Sequence, residues 1–201
     1  MKSTILDKTK LVNSVFSKVY KKYDLMNDIM SLGVHRIWKK KLIDWMNPQL
    51  NDNLVDVASG TGDIAKLFSK KTKSSNTISC VEPNDEMYST GKDNLKNFKN
   101  KYSYFKMTSN RFFSKNKHMF DVIYIDGWHG TSQVFKDISN SWKILNDGGI
   151  IICDDYFYGN IYKNSDKNIP APAINNFIKK NKKKLKIVCV NNNQIFIKKI
   201  K

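Results

Sequence analysis

The sequence predicts an α/β fold: a doubly wound sheet of seven strands whose last strand is antiparallel, preceded by an N-terminal helical extension. Two observations predict it. From residue 53 onward, short apolar runs alternate with helix-patterned segments, which indicates parallel strands joined by helices on both faces of a sheet. Near the end of the chain, two apolar runs flank residues 191–193, three asparagines that tolerate the left-handed conformation of a tight turn. The last strand therefore reverses direction.

The helical extension is predicted over residues 8–46, where apolar residues recur at helical spacing, as at Leu11, Val15 and Val19. Breaks in this pattern divide it into two or three helices. The chain has 201 residues, which is enough to bury one full core, and no repeat or linker interrupts it. We therefore expect a single domain, with a helical part over residues 1–48 and a sheet-containing core over residues 49–201.

The strands are predicted from short apolar runs that end near polar residues. Five strands are expected to be parallel and two to form the terminal hairpin. The predicted ranges are 53–58, 77–82, 102–107, 120–125 and 148–153 for the parallel strands, and 185–190 and 194–200 for the hairpin.

The composition is that of an ordinary soluble protein with a strongly basic surface. Hydrophobic residues make up 40%, charged residues 26%, and the formal net charge is +17. All 35 basic residues are lysines except Arg36 and Arg111, and arginine is the residue that reads bases and binds phosphates through paired hydrogen bonds. We therefore expect no nucleic-acid partner and interpret the lysines as a solvated surface. Weak contact with an anionic membrane is the main alternative.

The three cysteines, Cys80, Cys153 and Cys189, each lie within an apolar run and form no CxxC motif. This pattern favours reduced thiols over a disulfide scaffold or a zinc site. The first ten residues lack the apolar core of a signal peptide, and no apolar run approaches 18 residues. We expect a cytoplasmic protein that is at most peripheral to a membrane. The sequence leaves the oligomeric state open.

A glycine-containing turn, residues 56–63 (DVASGTGD), joins the first strand to a helix-patterned segment. Twenty residues after Gly62 the second strand ends in Glu82, whose carboxylate can accept both hydroxyls of a ribose. Leu67 and Phe68 stand where a dinucleotide pyrophosphate would require small residues. The turn therefore suits a cofactor without phosphates, and S-adenosylmethionine fits that description. A tight turn without a ligand is the alternative.

The predicted cofactor contacts lie in this turn and at the ends of the following strands. Ser109 and Asn110, after the third strand, occupy the place where this type of fold commonly contacts the adenine amino group, although a plain polar turn is the alternative. The full predicted set is Asp56, Ala58, Ser59, Gly60, Thr61, Gly62, Glu82, Pro83, Met87, Thr108, Ser109, Asn110 and Asp126.

Residues 23–38 (YDLMNDIMSLGVHRIW) closely resemble the N-terminal signature of the ubiquinone/menaquinone biosynthesis C-methyltransferases. The turn ASGTGD and residues 82–87 (EPNDEM) are similar too, so that the resemblance covers residues 10–98. It implies a class I S-adenosylmethionine-dependent methyltransferase with a Rossmann-like core and cofactor contacts at Thr61 and Glu82. It further implies that the helices of residues 1–48 form a lid over a prenylated ring. The acceptor would be a quinone precursor or a similar aromatic small molecule.

Residues 101–201 look more like a second group of class I methyltransferases. The C-methyltransferase family has an Arg-Asn pair after its fourth strand, whereas this chain has DGWH at residues 126–129 and DDY at residues 154–156. This pattern resembles enzymes in which one Asp and a later Asp-Asp or Asp-Asn pair bind a divalent metal for O-methylation. The resemblance implies that Asp126, Asp154 and Asp155 bind an ion such as Mg²⁺, which would lower the pKa of a hydroxylated acceptor.

Asp126 and His129 are the predicted catalytic residues. His129 lies three residues after Asp126 and would take a proton from the acceptor, because imidazole titrates near neutral pH. Alternatively, Asp126 and Asp154 only cap helices or bind loop amides, and His129 is merely packed beside a tryptophan. An aromatic segment, residues 156–162, would close over an aromatic acceptor or pack on the sheet edge.

Three functions remain open at this point. The first is methyl transfer to a ring carbon of a quinone precursor, and the second is metal-assisted O-methylation of a small hydroxylated acceptor. The third is a cofactor-binding protein without catalysis. Metal dependence separates the first two, and turnover that depends on Asp126 or His129 would exclude the third.

Overall fold

The computed structural model describes residues 34–72, 76–98, 101–158, 169–191 and 193–200. Helices and strands alternate along them, numbered here in chain order. The helices are α1 (Val34–Met46), α2 (Asp63–Thr72), α3 (Asp85–Leu95), α4 (Ser109–Lys115), α5 (Thr131–Ile144) and α6 (Pro170–Asn181). The strands are β1 (Leu54–Val57), β2 (Thr77–Val81), β3 (Lys101–Phe105), β4 (Phe120–Ile125), β5 (Leu145–Cys153), β6 (Leu185–Asn191) and β7 (Gln194–Lys199).

The strands form one sheet in the order β3-β2-β1-β4-β5-β7-β6. Strands β1 to β5 pair in parallel, whereas β7 is antiparallel to both β5 and β6. The predicted doubly wound sheet with an antiparallel last strand is therefore confirmed. The chain runs outward from β1 to β3 and then returns to β4, so the strand order switches between β1 and β4. Ligands of such sheets bind beyond the carboxyl ends of the strands at this switch point.

Strand β5 begins at Leu145, three residues before the predicted start. The start of β5 was predicted too late because Gly148 and Gly149 are typical of a turn that precedes a strand. In the structure Gly148 has a φ of 82°, and the register between β4 and β5 shifts between Phe120 and Val122. A Cβ on Gly149 would lie 2.8 Å from the carbonyl oxygen of Asp121. These glycines permit an irregularity inside the strand rather than preceding it.

Two apolar layers cover the two faces of the sheet, as expected for strands buried on both sides. On one face, the strand residues pack with α4, α5 and α6 around Ile123, Ile138 and Ile174. On the other face, they pack with α1 and α2 around Met46 and Phe68. The core therefore fixes α1 against the sheet, close to the carboxyl ends of its strands.

Helix α1 confirms helical structure in the last part of the predicted extension. Leu42, Ile43 and Met46 are buried on its inner side, while Trp38 and Trp45 are exposed on its outer side. The other predicted helices of residues 8–33 lie outside the described residues, as does Tyr162 of the aromatic segment.

The three cysteines are free thiols, with Cys80 and Cys153 buried in the sheet. This agrees with the expectation of reduced cysteines. Within the described ranges, no helix is both long enough and apolar enough to cross a membrane.

Candidate functional site

The glycine turn lies over the carboxyl ends of β1 and β2. Ala58, Gly60 and Gly62 have φ values of 62°, 54° and 82°, all in the left-handed region. The backbone N–H groups of Ala58 and Ser59 donate to the carbonyl oxygen of Val81 at 2.8 and 3.1 Å. A left-handed alanine costs about 1 kcal/mol, and the two hydrogen bonds to β2 hold it in place. The turn is therefore tied to the strand that precedes Glu82.

Glu82 is the side chain that closes this turn. It is 5% exposed, and its two oxygens accept hydrogen bonds from the backbone N–H groups of Gly60 and Asn84 at 2.9 and 2.8 Å. Burial raises the pKa of Glu82, and the two N–H groups partly offset that rise. Each carboxylate oxygen has a second lone pair, so the group can still accept ribose hydroxyls. The carboxylate is thus held in place at the end of β2, and ribose binding by Glu82 stays a prediction.

Asp56 is a buried carboxylate at the end of β1. It is 1% exposed, and among the described residues neither of its oxygens has a hydrogen-bond partner. Burial raises its pKa to about 7 and the charge of Glu82 adds to the rise, while the charge of Lys39 and the nearby backbone N–H of Ala65 oppose it, although that N–H does not reach hydrogen-bond geometry. An unpaired buried carboxylate is unfavourable unless something satisfies it. A cationic ligand group would do so, and S-adenosylmethionine carries both an ammonium and a sulfonium.

Lys39 of α1 reaches the same crevice, which the sequence did not indicate. Its Nζ lies 2.6 Å from Oδ2 of Asp63, the first residue of α2. Its charge also lowers the pKa values of Asp56 and Asp126. Helix α1 therefore contributes a positive charge beside the glycine turn. No local motif signals this contact, because the two partners are 24 residues apart.

Tyr104 supports the turn from behind, and sequence reasoning missed it. Its hydroxyl donates to the carbonyl oxygen of Gly60 at 3.5 Å, and its ring meets Tyr88 edge-on at 5.6 Å. A Cβ on Gly91 of α3 would lie 2.0 Å from this hydroxyl. Gly91 is thus required for the close approach of Tyr104. A glycine in a predicted helix was the available signal.

The remaining predicted cofactor contacts lie around the turn and at the ends of β2 and β3. The carbonyl oxygen of Thr61 accepts from Asn94 at 3.1 Å, and Met87 is buried in the first turn of α3. Pro83 is exposed beside Glu82. Thr108 caps α4 by accepting from the backbone N–H of Arg111. The sheet therefore places these residues along one edge, at the carboxyl ends of its strands.

Ser109 and Asn110 are connected to α5 through Gln133. The side-chain amides of Asn110 and Gln133 exchange two hydrogen bonds of 3.2 Å, and Gln133 lies 3.4 Å from Oγ of Ser109. Gln133 also donates to Asp137 at 2.9 Å. The loop after β3 and the helix after β4 therefore form one polar network beside the crevice.

The other side of the crevice holds Asp126, His129 and Asp155. One potential ligand atom from each residue lies within 4.8 Å of those of the other two. His129 Nε2 lies 2.8 Å from Oδ2 of Asp155. Two carboxylates and an imidazole form a donor set that suits a divalent transition metal, and the carboxylates alone suit Mg²⁺.

The structure does not bring Asp154 into this cluster. Its Oδ2 accepts from the hydroxyl of Tyr124, and its Oδ1 accepts from the backbone N–H of Asp155 at 2.9 Å. Asp155 has a φ of 55°, so its carboxylate is directed away from that of its neighbour and towards His129. Of the three predicted metal ligands, Asp126 and Asp155 lie together, and His129 takes the place expected for Asp154.

The carboxylates of this region raise one another's pKa values. For Asp126, desolvation by the surrounding protein raises the pKa, and the charges of Asp154 and Asp155 raise it further. The Asp126 residue is exposed to solvent, and water reduces the effect of desolvation on its pKa. We therefore attribute the rise in this pKa mainly to repulsion by the neighbouring carboxylates. Burial also raises the pKa of Asp154, although the Tyr124 hydroxyl lowers it. A cation at this place would relieve the repulsion.

The model of the ubiE/COQ5 methyltransferase family matches residues 3–162 of this chain. A ubiquinone/menaquinone biosynthesis C-methyltransferase UbiE of Rickettsia typhi is 36% identical over 153 residues, which are 73% of this chain and 60% of that protein. The UbiE of Rickettsia bellii is 38% identical over 157 residues, 75% of this chain and 62% of that protein. The chain therefore spans about three fifths of the length of these relatives.

Solved structures show the same fold at low sequence identity. An O-methyltransferase from Bacillus cereus in complex with S-adenosylhomocysteine has a TM-score of 0.64 and 12% identity, with 95% of this chain and 97% of that chain covered. Fibrillarin from Aeropyrum pernix with bound S-adenosylmethionine has a TM-score of 0.61 and 13% identity, covering 81% of this chain and 74% of that chain. These likenesses confirm the predicted Rossmann-like α/β fold. The family match also extends beyond residue 98, where the resemblance to the C-methyltransferases was expected to end.

Proposed function

The chain belongs to the ubiE/COQ5 methyltransferase family, and from this premise we propose that it transfers a methyl group from S-adenosylmethionine to an aromatic small molecule. The names of the relatives support a ubiquinone or menaquinone precursor as the acceptor and a ring carbon as the methylated atom. The observation that carries the proposal is the pair of buried carboxylates, Asp56 and Glu82, on either side of a left-handed glycine turn.

The residues of the cofactor side have separate tasks in this proposal. Bound S-adenosylmethionine supplies an electrophilic methyl group on a sulfonium sulfur. Glu82 accepts the ribose hydroxyls while the N–H groups of Gly60 and Asn84 hold its carboxylate in place. Asp56 balances the positive charge of the amino acid portion, and in doing so it gains a hydrogen-bond partner that its carboxylate lacks among the described residues.

On the acceptor side, His129 accepts the proton that the acceptor must lose. Carbon attack requires an electron-rich ring, and deprotonation of a ring hydroxyl to the phenolate provides it. Asp155 orients the imidazole through the contact at 2.8 Å, and the ring of Tyr158 lies 4.5 Å from that of His129. Asp126 lies beside them, at the carboxyl end of β4. Its backbone N–H donates a hydrogen bond to the carbonyl oxygen of Val57. This arrangement serves carbon methylation without a metal.

Metal-assisted O-methylation is the second candidate, and the proximity of Asp126, His129 and Asp155 favours it. In that reaction Asp126 and Asp155 would hold a divalent ion such as Mg²⁺ against the acceptor oxygen, which lowers the pKa of the acceptor hydroxyl. His129 would then be a ligand or a neighbour of the ion rather than the base. The two candidates therefore assign different roles to the same three side chains.

Calorimetric titration with S-adenosylhomocysteine, with and without Mg²⁺, tests both candidates. We expect the wild type to bind this product, and the absence of binding would contradict the proposed function. An affinity for S-adenosylhomocysteine that changes neither on addition of Mg²⁺ nor in the Asp126→Ala variant supports carbon methylation. Enhancement by Mg²⁺ that Asp126→Ala abolishes supports O-methylation. Asp147→Ala is the matched control, because Asp147 is an exposed carboxylate at the opposite end of the same sheet.

Turnover separates an enzyme from a protein that only binds the cofactor. Methyl transfer from labelled S-adenosylmethionine is measured with a hydroxylated naphthoquinone and with a catechol, in the presence and absence of a chelator. Turnover of the first acceptor that survives chelation is expected. Binding of S-adenosylhomocysteine without turnover of either acceptor would support the non-catalytic alternative.

We also propose that the protein works in the cytoplasm and touches anionic membrane lipid through the outer side of α1. Ile37, Trp38 and Trp45 are 53%, 54% and 51% exposed there, and Lys40 and Lys41 lie on the same helix. Tryptophan and lysine are the side chains that favour the lipid interface. Co-sedimentation with phosphatidylglycerol vesicles, reduced in a Trp38→Ser/Trp45→Ser variant, is expected. Equal sedimentation with phosphatidylcholine vesicles would contradict an electrostatic contact.

A further inference from the structure

Asn193 occupies an unusual position in the turn between β6 and β7. Its φ is 73°, which is uncommon for a residue other than glycine, although asparagine tolerates it best. The turn lies at the carboxyl end of β5, because β7 runs antiparallel to β5 and pairs Ile195 with Cys153. The terminal hairpin thus brings Asn193 to the edge of the sheet that carries the acceptor side of the site.

Asn193 makes three short hydrogen bonds, all to the segment that follows β5. Its carbonyl oxygen accepts from the backbone N–H of Tyr156 at 2.7 Å, and its Oδ1 accepts from the backbone N–H of Phe157 at 2.6 Å. Its Nδ2 donates to Oδ1 of Asp155 at 2.7 Å. One residue therefore binds three consecutive residues: its side chain binds Asp155 and Phe157, and its backbone carbonyl oxygen binds Tyr156.

The bond to Asp155 has a consequence for His129. A carboxylate is planar, so fixing Oδ1 of Asp155 also fixes Oδ2, which lies 2.8 Å from Nε2 of His129. Asp155 has a left-handed backbone with a φ of 55°. That conformation is held by the bonds that Asn193 makes to Asp155 and to the next two residues. Released from Asn193, Asp155 would be free to return to a more common conformation and to turn its carboxylate away.

We propose that Asn193 is a positioning residue of the acceptor site, which sets the orientation and tautomer of the His129 imidazole through Asp155. Donation from Nε2–H to the carboxylate selects the neutral tautomer in which Nδ1 is the nitrogen that accepts a proton. The role of this imidazole in turnover rests on the proposed function. The positioning itself is a property of the free protein and is tested without a substrate.

The first test is nitrogen NMR on protein labelled with ¹⁵N-histidine, at a pH about two units above the ordinary imidazole pKa of about 6.5. His35 and His118 are internal references. The wild type is expected to show His129 as the Nε2–H tautomer. Asn193→Gly keeps the left-handed backbone but removes both side-chain bonds, and it is expected to shift His129 towards a mixture of tautomers. An unchanged His129 spectrum in this folded variant would overturn the proposal.

An exchange of donor and acceptor gives a sharper second test. Asn193→Asp alone places a second carboxylate against Asp155, and like charges at that distance repel. Combining it with Asp155→Asn restores the bond in the opposite direction, since the new amide donates to the new carboxylate. The amide oxygen at position 155 can still accept from His129. The single variant is expected to lose the Nε2–H preference and the double variant to regain it; absence of rescue would contradict the positioning role.

Kinetics provides the readout that connects positioning to catalysis. In Asn193→Gly, kcat is expected to fall about 10- to 100-fold, which is less than the roughly 10²- to 10⁴-fold contribution of a general acid or base, because His129 is retained and only its orientation is lost. The KM for the acceptor and the Kd for S-adenosylhomocysteine should stay within about twofold, since the cofactor side has no contact with Asn193. Equal losses in kcat and in cofactor affinity would indicate a merely structural role. If the wild type binds no S-adenosylhomocysteine, the proposed function fails, whereas the NMR result still decides the positioning.

Discussion

The cofactor side and the acceptor side of the crevice are built in different ways. On the cofactor side, backbone N–H groups of Gly60 and Asn84 bind a single side chain, Glu82. On the acceptor side, side chains bind side chains, as in the contacts of Asp155 with His129 and with Asn193. Backbone groups are present whatever the sequence, whereas a bond between two side chains requires both residues to be correct. The backbone donors of the cofactor side therefore persist when neighbouring side chains change, although Glu82 itself is required, and the acceptor side can change its chemistry through a few residues.

The electrostatics of the two sides differ as well. Asp56 and Glu82 are buried carboxylates, and the charge of Lys39 opposes the rise in the pKa of Asp56. Asp126, Asp154 and Asp155 lie closer to solvent and repel one another. Binding of a cationic ligand would stabilise the buried carboxylates of the cofactor side. Binding of a metal cation or a proton would relieve the repulsion between the carboxylates of the acceptor side. Single substitutions on each side should therefore have separable effects on cofactor affinity and on stability.

Substitution of Glu82 should have the largest effect, because it removes the ribose acceptor and leaves two backbone N–H groups without their partner. Glu82→Ala is expected to lower the affinity for S-adenosylhomocysteine at least about 100-fold, since hydrogen bonds to a charged group contribute about 1.5 to 3 kcal/mol each. Glu82→Gln should lie between this variant and the wild type. Calorimetry measures both. Asp85→Ala, which removes a carboxylate that is 68% exposed, is the control and should bind normally.

Substitution of Asp56 should change stability in a direction set by its pKa. The folded-state pKa of about 7 lies above the ordinary value of 3.8 for an aspartate, so the folded protein binds this proton more tightly than the unfolded chain. Below pH 3.8 the group is protonated in both the folded and the unfolded state and does not lower the free energy of unfolding. As the pH rises from 3.8 to about 7, the unfolded chain loses this proton first, and the free energy of unfolding falls. One unit of pKa corresponds to about 1.4 kcal/mol. Between about pH 5 and about pH 8, the free energy of unfolding of Asp56→Asn should therefore rise by about 3 kcal/mol relative to that of the wild type.

Urea unfolding at the two pH values measures this difference. The same variant should bind S-adenosylhomocysteine more weakly, because it lacks the charge that faces the ammonium group. A variant that follows the pH dependence of the wild type would show that Asp56 is ionised in the folded protein without penalty.

Gly91→Ala tests the support behind the glycine turn. The added Cβ would lie 2.0 Å from the Tyr104 hydroxyl and 3.1 Å from the carbonyl oxygen of Gly60. Overpacking costs about 1 to 3 kcal/mol, and the higher helix propensity of alanine returns up to about 1 kcal/mol. We expect a net loss of about 1 to 2 kcal/mol in urea unfolding and a severalfold weaker affinity for S-adenosylhomocysteine. Lys92→Ala, on the exposed side of the same helix, should leave both quantities unchanged.

Tyr124→Phe should have the smallest effect and should act on the acceptor side alone. It removes the hydroxyl that donates to Asp154, a hydrogen bond that lowers the pKa of that carboxyl. A loss of about 1 kcal/mol is expected in urea unfolding, together with a higher Asp154 pKa. Affinity for S-adenosylhomocysteine should stay within about twofold. A large loss of affinity would show that the two sides are coupled through β4.

Much of this fold could be predicted from the sequence, because its signals are local. The alternation of apolar runs with helical patterns located every strand to within a few residues. Glycines at positions 60 and 62, and a carboxylate at position 82, indicated the cofactor turn by spacing alone. By contrast, β5 began earlier than predicted, since a glycine pair reads as a turn even where it forms an irregularity inside a strand.

The acceptor side was only partly predictable. The resemblance to metal-dependent O-methyltransferases implied that Asp126, Asp154 and Asp155 form one group, but adjacent residues of an extended chain project in opposite directions. The left-handed backbone of Asp155 and the hydroxyl of Tyr124 decided which carboxylate joined His129 and which one was drawn away. Lys39 belongs to no motif, and the signals at Gly91 and at the turn of residues 191–193 did not indicate the contacts of Tyr104 and Asn193.

Neighbours along the chain are enough to specify the succession of strands and helices, the glycine turn and the acid at the end of β2. The assembly of the acceptor side depends instead on tertiary contacts. The pairing of β7 with β5 brings Asn193 to Asp155, its partner 38 residues earlier in the chain, and the return of the chain to β4 places Asp126 beside them. Such contacts depend on the register of strands that meet only after folding, and no local pattern records that register.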